Sequence, residues 1–211
     1  MPTRLPKRTP GRPKSGERTD ATRDTVLLAA ARLFLQGGYE PVSVQQIAEQ
    51  AGVTKASVYY YFNSKPVLFT AAVVATMKRI SAATAAILAE PTPLRTRLEK
   101  LAAARMMHSH MEIEALLQEA STALAEEQQD EIRHAERMIH AVLADGFRRC
   151  QADGQIAGGA HPDLLAYAFS SLLLTGNREE QLQDALQGGP ALAEQVVALF
   201  WSGISPGSAS T

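Results

Sequence analysis

The sequence predicts an all-α protein with a small N-terminal head and a helical body. Three features predict it. Apolar residues recur at helical spacing from about Ala21 to Ile204, with no convincing alternating strand and no internal repeat. Glycine and proline fall at intervals that divide this run into helices of ordinary length. Charge is divided unevenly: residues 1–65 hold ten Lys/Arg against five acids, and the rest hold 11 against 17. The net charge of −1 therefore conceals a basic head on an acidic body. Such a head suits a polyanionic partner, although a solvated basic tail has the same composition.

The elements follow in order. Residues 1–19, "MPTRLPKRTPGRPKSGERT", are rich in Pro, Gly and basic residues, and the arm they form is expected to be disordered. Residues 20–65 form the head. Its first helix covers about Ala21–Gln36, with Val26, Ala30, Leu33 and Phe34 on one stripe, and Gly37-Gly38 ends it. Ser43 caps a second helix, with Gln46 placed for a capping box, and Gly52 stops it. Thr54 caps a short third helix to about Phe62. Ser64 caps a fourth, with Pro66 tolerated in its first turn, that runs to about Ala89. The body, residues 66–204, continues with helices at about Leu94–His110, Glu112–Ala125, Gln128–Ala152, Pro162–Leu186 and Ala191–Ile204. Residues 205–211 read as a loose tail.

Composition narrows the class. With 211 residues, 45% hydrophobic and 20% charged, the chain is long enough for a sizeable core. Cys150 is the only cysteine, so no internal disulfide forms and a reducing compartment, the cytoplasm, is expected. No apolar run follows the basic N-terminus, and none approaches the roughly 20 residues that cross a bilayer. No membrane partner, cofactor or metal is expected.

Three consecutive tyrosines, Tyr59, Tyr60 and Tyr61, carry the functional argument. A helix turns about 100° per residue, so they cannot all face one core. With Val58 at 0°, Phe62 falls near ~40° and Tyr61 near ~300°, which defines the inward arc. Tyr59 then falls near ~100°, Ala56 near ~160°, Tyr60 near ~200° and Ser57 near ~260°. Two tyrosines and two small residues make a poor core and an odd solvated face. They suit a helix pressed into a DNA major groove. Ala56 permits close approach, Ser57 offers a hydroxyl, and Tyr59 and Tyr60 offer hydroxyls to phosphates and rings to sugars or bases. Lys55 and Lys65 flank the face with positive charge. With the preceding helix and the connection Gly52-Val53-Thr54, this is a helix-turn-helix. A helical hairpin whose tyrosines pack on another domain has the same pattern.

The stretch "VSVQQIAEQAGVTKASVYYYFNSKPVLF" resembles the DNA-binding domain of the TetR/AcrR family of transcriptional regulators. The family pattern is similar to IA-x-x-AGVS-x-G-x-x-Y-x-x-F-x-SK-x-x-L after an amphipathic helix ending in Gly-Tyr, here "AARLFLQGGYEPVSV". The likeness spans about residues 22–69. By position it implies DNA contacts at Val44, Gln45, Thr54, Lys55, Ala56, Ser57, Tyr59, Tyr60, Tyr61 and Lys65. Ala56, Tyr61 and Pro66 replace a frequent glycine, histidine and glutamate. The first two changes bear on which operator is preferred.

"GRPK", Gly11 to Lys14, is similar to the core of an AT-hook, but Pro10 stands where a full hook has arginine. Arg12 is a minor-groove or phosphate candidate, and a solubilising arm is the alternative. For the body, the resemblance implies a small, partly apolar effector and a homodimer made by the last two long helices. Met106, His110, Met138, Phe147 and Phe169 are the candidate effector residues, each of them also a plausible core residue. Leu165, Phe169, Leu172 and Gly176 form one candidate dimer stripe; Val196, Leu199, Phe200 and Gly203 form the other. These stripes equally fit a monomer core. The resemblance favours a repressor released by its effector.

Two other functions fit parts of the chain. "EIRH", Glu131 to His134, has the Glu-x-x-His spacing of di-iron oxidoreductase bundles, but no second copy is present. His108 and His110 lie about 200° apart on a helix and cannot clasp one metal. A solvated face explains Glu131 and His134 as well. The other alternative is a constitutive architectural DNA binder without an effector.

Overall fold

The structure is a computed structural model, and it describes residues 15–106, 110–178 and 189–206. Those residues form an all-helical protein with no strand among them. The helices are α1 (Ser15–Gly37), α2 (Val44–Ala51), α3 (Lys55–Tyr61), α4 (Lys65–Leu88) and α5 (Leu94–Met106). They continue as α6 (His110–Ala120), α7 (Glu126–Ala152), α8 (Pro162–Arg178) and α9 (Gly189–Ile204), with a 3-10 turn at Ser121–Ala123. α1 starts six residues before the sequence expectation, so the end of the basic arm is helical.

The capping signals act as the sequence predicts. Ser43 and Gln46 form a reciprocal capping box: Gln46 N–H donates to Ser43 Oγ at 3.2 Å, and Ser43 N–H donates to Gln46 Oε1 at 2.8 Å. Thr54 Oγ1 accepts the Ser57 N–H at 3.1 Å. Ser64 caps α4 in the same way, through the Val67 N–H. Gly52 closes α2 in the left-handed region, φ 67°, where a side chain is strained.

α4 is the central strut. It packs on α1 towards its start and on α7 along its length. Its apolar character corrects one sequence expectation. With a mean hydropathy of 1.4 over 18 residues, α4 is long and apolar enough, by length and composition, to cross a bilayer. Here its apolar residues serve two cores. The first joins the head to the body: Val26, Phe34, Tyr39, Ile47, Val58 and Phe62 from the head, with Leu68, Phe69 and Val73 from α4 and Leu116 from α6. Phe34, Tyr39 and Phe69 meet as an aromatic trio with centroids 5.0–5.9 Å apart. The second core holds Leu88, Leu98, Phe147, Phe169, Val197 and Phe200 from the far end of α4 and from α5, α7, α8 and α9. Arg97 is buried at this end and spends its guanidinium on the fold. It donates to the Leu88 carbonyl at 2.5 Å and to Gln155 Oε1 at 2.7 Å, tying α4 and α5 to the loop that follows α7.

Candidate nucleic-acid interface

α3 is anchored from below by Val58, fully buried, and by Phe62 at its C-cap. These anchors fix the outward face. Tyr60 is 79% exposed and Tyr59 42% exposed, while Tyr61 packs partly against the core. The three tyrosines thus divide as the helical wheel predicts. Tyr61 supports Tyr60 edge-on at 5.2 Å, and Lys55 Nζ lies 6.0 Å from the Tyr59 ring. Lys55 and Ala56 are exposed beside them. Thr54 and Ser57 share a hydroxyl contact of 2.8 Å, so both are partly engaged in capping. From α1, the Arg23 guanidinium sits 5.5 Å over the Phe62 ring and adds an exposed charge that the sequence reading missed. The result is a convex helix edge of aromatic rings, hydroxyls and cations with no carboxylate of its own.

Two sequence assignments need revision. Val44 is only 7% exposed, because α2 needs it with Ile47 and Ala48 for its buried stripe. The exposed side chain at that helix start is Gln45, which donates to Glu49 Oε1 at 2.7 Å. Lys65 is half-buried rather than free. Its Nζ donates to the Glu40 carbonyl at 3.0 Å and lies 4.5 Å over the Tyr39 ring. It therefore braces the α1–α2 loop. Arg12 lies outside the described residues.

Glu119 at the end of α6 is a second brace that the sequence did not reveal. Its carboxylate accepts the Tyr39 N–H at 3.0 Å and the Glu40 N–H at 2.7 Å. Gly38, at φ 82°, makes room: a Cβ there would lie 2.9 Å from Glu119 Oε2. The Glu40 and Tyr39 N–H groups hold the Glu119 carboxyl below its ordinary value of 4.5. A depressed carboxylate stabilises the fold above its unfolded value and loses that contribution as pH falls through the folded one. The brace is thus intact at neutral pH and fails only below about 4.5. We expect Glu119→Ala to speed hydrogen exchange at the Tyr39 and Glu40 amides while leaving the Phe62 amide, bonded to Val58, protected. Unchanged exchange at Tyr39 and Glu40 would contradict the brace.

The body residues expected to bind an effector scatter. Met138 is 46% exposed on α7. Phe147 and Phe169 are buried and pack on Phe200 at 5.7 and 5.1 Å in the second core, away from the two cavities that adjoin at Met77. Met106 ends α5 and His110 opens α6, with both side chains outside the described set. The larger cavity, about 80 Å³, lies instead between α4, α5, α6, α7 and α8, and its polar groups are Arg105, Glu136, His140 and Ser170.

The expected dimer stripes divide too. Leu165, Phe169, Val196 and Phe200 are consumed by the monomer core, and Leu172 packs partly against it. Leu199 is 65% exposed, and Gly203 is exposed with open space around it. Gly176 lies in the last turn of α8. The exposed large apolar residues of α8 among the described side chains are Leu164, one position before the stripe chosen from sequence, and Tyr167, midway between its Leu165 and Phe169. Glu131 and His134 are exposed on α7, and no group of three His, Cys, Asp or Glu could hold a metal among the described residues.

Fold and surface together define a helix-turn-helix protein with a helical body. The sequence pattern of the tetR family of bacterial regulatory proteins matches residues 26–72. The transcriptional regulator AcrR of Shigella flexneri is 39% identical over 57 residues, 27% of this chain and 26% of AcrR. RutR of Escherichia coli K12 is 40% identical over 58 residues, 28% of this chain and 27% of RutR. The matched stretch thus spans about a quarter of these relatives. The whole fold is similar to E. coli NemR in its reduced form: TM-score 0.73, 19% identity, 88% of this chain and 98% of that one. It is also similar to Bacillus subtilis FadR in complex with stearoyl-CoA: TM-score 0.66, 18% identity, 85% and 98%. Residues 26–72 thus carry the DNA-binding pattern of the tetR family of regulators, and the likeness of the remainder to the solved structures is one of fold.

Proposed function

We propose that the chain is a transcriptional repressor that binds a palindromic operator as a homodimer and is released by a small, partly apolar effector. The outward face of α3 carries this reading: exposed Tyr59 and Tyr60 with Lys55 and Ala56, on a helix pinned from below by Val58 and Phe62. In a major groove, Ala56 allows the backbone to approach and Tyr60 reaches a phosphate or base edge. Gln45 and Arg23 contact the backbone at the flanks, and Arg12 extends contact along the duplex. Lys65, Thr54, Tyr61 and Val44 shape this surface rather than lead it. A cytoplasmic location follows from a DNA partner.

One short helix reads few base pairs. Two copies related by a twofold axis read half-sites about 34–36 Å apart, or a multiple of that. The outer faces of α8 and α9, with Leu164, Tyr167, Leu199 and Gly203, supply the pairing surface, since their inner faces are committed to the core. Leu199→Glu is expected to give monomers in sedimentation and to abolish cooperative operator binding. A dimer that persists in this variant would place the pairing surface elsewhere. Protection of one palindromic site in footprinting tests the regulator reading. Diffuse protection would support the architectural alternative.

A further inference from the structure

Two cavities adjoin, one within the body and one at its seam with the head, and they differ in character. The larger, about 80 Å³, has room for several waters. Met77, Ile80, Leu117 and Ile139 form much of its apolar wall, and Arg105 and His140 stand among its polar groups. The smaller, about 20 Å³, lies between α1, α4 and α6 and is lined chiefly by apolar side chains, including Phe34, Ala72 and Leu116. Met77 and Ile113 line both.

The charge of the larger cavity is asymmetric. Glu136 is exposed, so water solvates its carboxylate. Burial pulls the Arg105 guanidinium below its ordinary value, yet an arginine stays charged at neutral pH. Among the described residues Arg105 forms no hydrogen bond or ion pair, unlike Arg95 and Arg97 on the same helix. His140 stacks on Tyr167 at 4.3 Å and lies 3.5 Å from Ser170 Oγ. Burial pushes its pKa down, so at pH 7 it adds hydrogen-bonding capacity and no charge. A partly desolvated cation with no bonded partner among the described residues, and only the exposed Glu136 acting on it electrostatically, favours an anion over any neutral guest.

We propose that these two cavities form one effector site for an apolar molecule with a single carboxylate, its head on Arg105 and its tail directed past Met77. The proposal rests on the regulator reading and specifies the class of effector. Methionine is unbranched and repacks readily, so Met77 acts as a movable partition. A tail that displaces it enters the chamber beneath Phe34, which packs on Tyr39 and Phe69. Occupancy there pushes α1 away from α4, and the α1–α2 loop braced by Lys65 and Glu119 moves with it. Short carboxylates fill only the first chamber and leave the reading head in place.

Calorimetry on the full chain tests this with octanoate, 1-octanol and octylamine. Octanoate is expected to bind at least about tenfold tighter than octanol, a difference a charge-assisted hydrogen bond supplies. Arg105→Gln removes that preference and leaves octanol binding unchanged. Glu136→Gln leaves octanoate binding equal or tighter, which serves should Arg105→Gln fail to fold. Equal binding of octanoate and octanol, or tightest binding of octylamine with its loss in Glu136→Gln, overturns the proposal. Octanoate should also release the operator at saturation where butyrate does not; equal release by both overturns the two-chamber path. Operator binding by ligand-free protein is measured separately. Its failure sinks the regulator reading, whereas the calorimetry alone decides the ligand class.

Discussion

Tyr60→Ala is expected to lower operator affinity by at least about tenfold and to leave the thermal midpoint almost unmoved. The ring is the most exposed of the three tyrosines on α3, and its closest ring neighbour is the edge of Tyr61. Surface substitutions of this kind change stability by about 0.5 kcal/mol or less. A hydrogen bond to a charged phosphate contributes about 1.5–3 kcal/mol, and a dimer loses one such contact in each half-site. The effect should therefore appear in binding and not in melting. Tyr60→Phe separates the two parts of the side chain: it keeps the ring and removes the hydroxyl. Anisotropy titrations of both variants, beside calorimetric melts, provide the comparison. An unaltered affinity in Tyr60→Ala would move the reading surface away from this face.

Phe69→Ala is expected to cost about 3–5 kcal/mol, the usual penalty for deleting a buried phenylalanine. The ring is fully buried and stands edge-on to both Phe34 and Tyr39, at 5.1 and 5.0 Å. That trio joins α1, the α1–α2 loop and α4, so the cavity opens at the seam between head and body. A domain is stable by about 5–15 kcal/mol in all, so this one change removes a large share. Because one core spans the seam, head and body should lose stability together. Melting followed at two probes, one in the head and one near Phe147, checks this. A head that loosens while the body melts as before would show two independent units.

The head was largely legible in the sequence because its signals are local. Ser43, Thr54 and Ser64 each bond a backbone N–H three residues on, and the wheel that sorts Tyr59, Tyr60 and Tyr61 needs only seven residues. Val44 was misplaced because position in a family pattern does not say which way a side chain points. Glu119 lies about 80 positions from the loop it braces, with |i−j| of 80 and 79, and no local rule connects them. The body was less legible for the same reason. Phe147, Phe169 and Phe200 are far apart in sequence and meet only when three helices pack. A chain that is apolar on two sides of α8 and α9 does not say which side meets its own core. No local signal sets Arg105 apart from the other arginines of α5; its place beside a cavity, half-buried, comes from packing.

The most direct test of the central claim is hydroxyl-radical footprinting of the protein on DNA selected from the source genome, with wild-type and Tyr60→Ala protein side by side. The account predicts one protected palindrome, with two half-sites on one face of the duplex about one or more helical turns apart, lost in the variant. Diffuse protection, a single unpaired half-site, or a footprint that Tyr60→Ala leaves intact would contradict it.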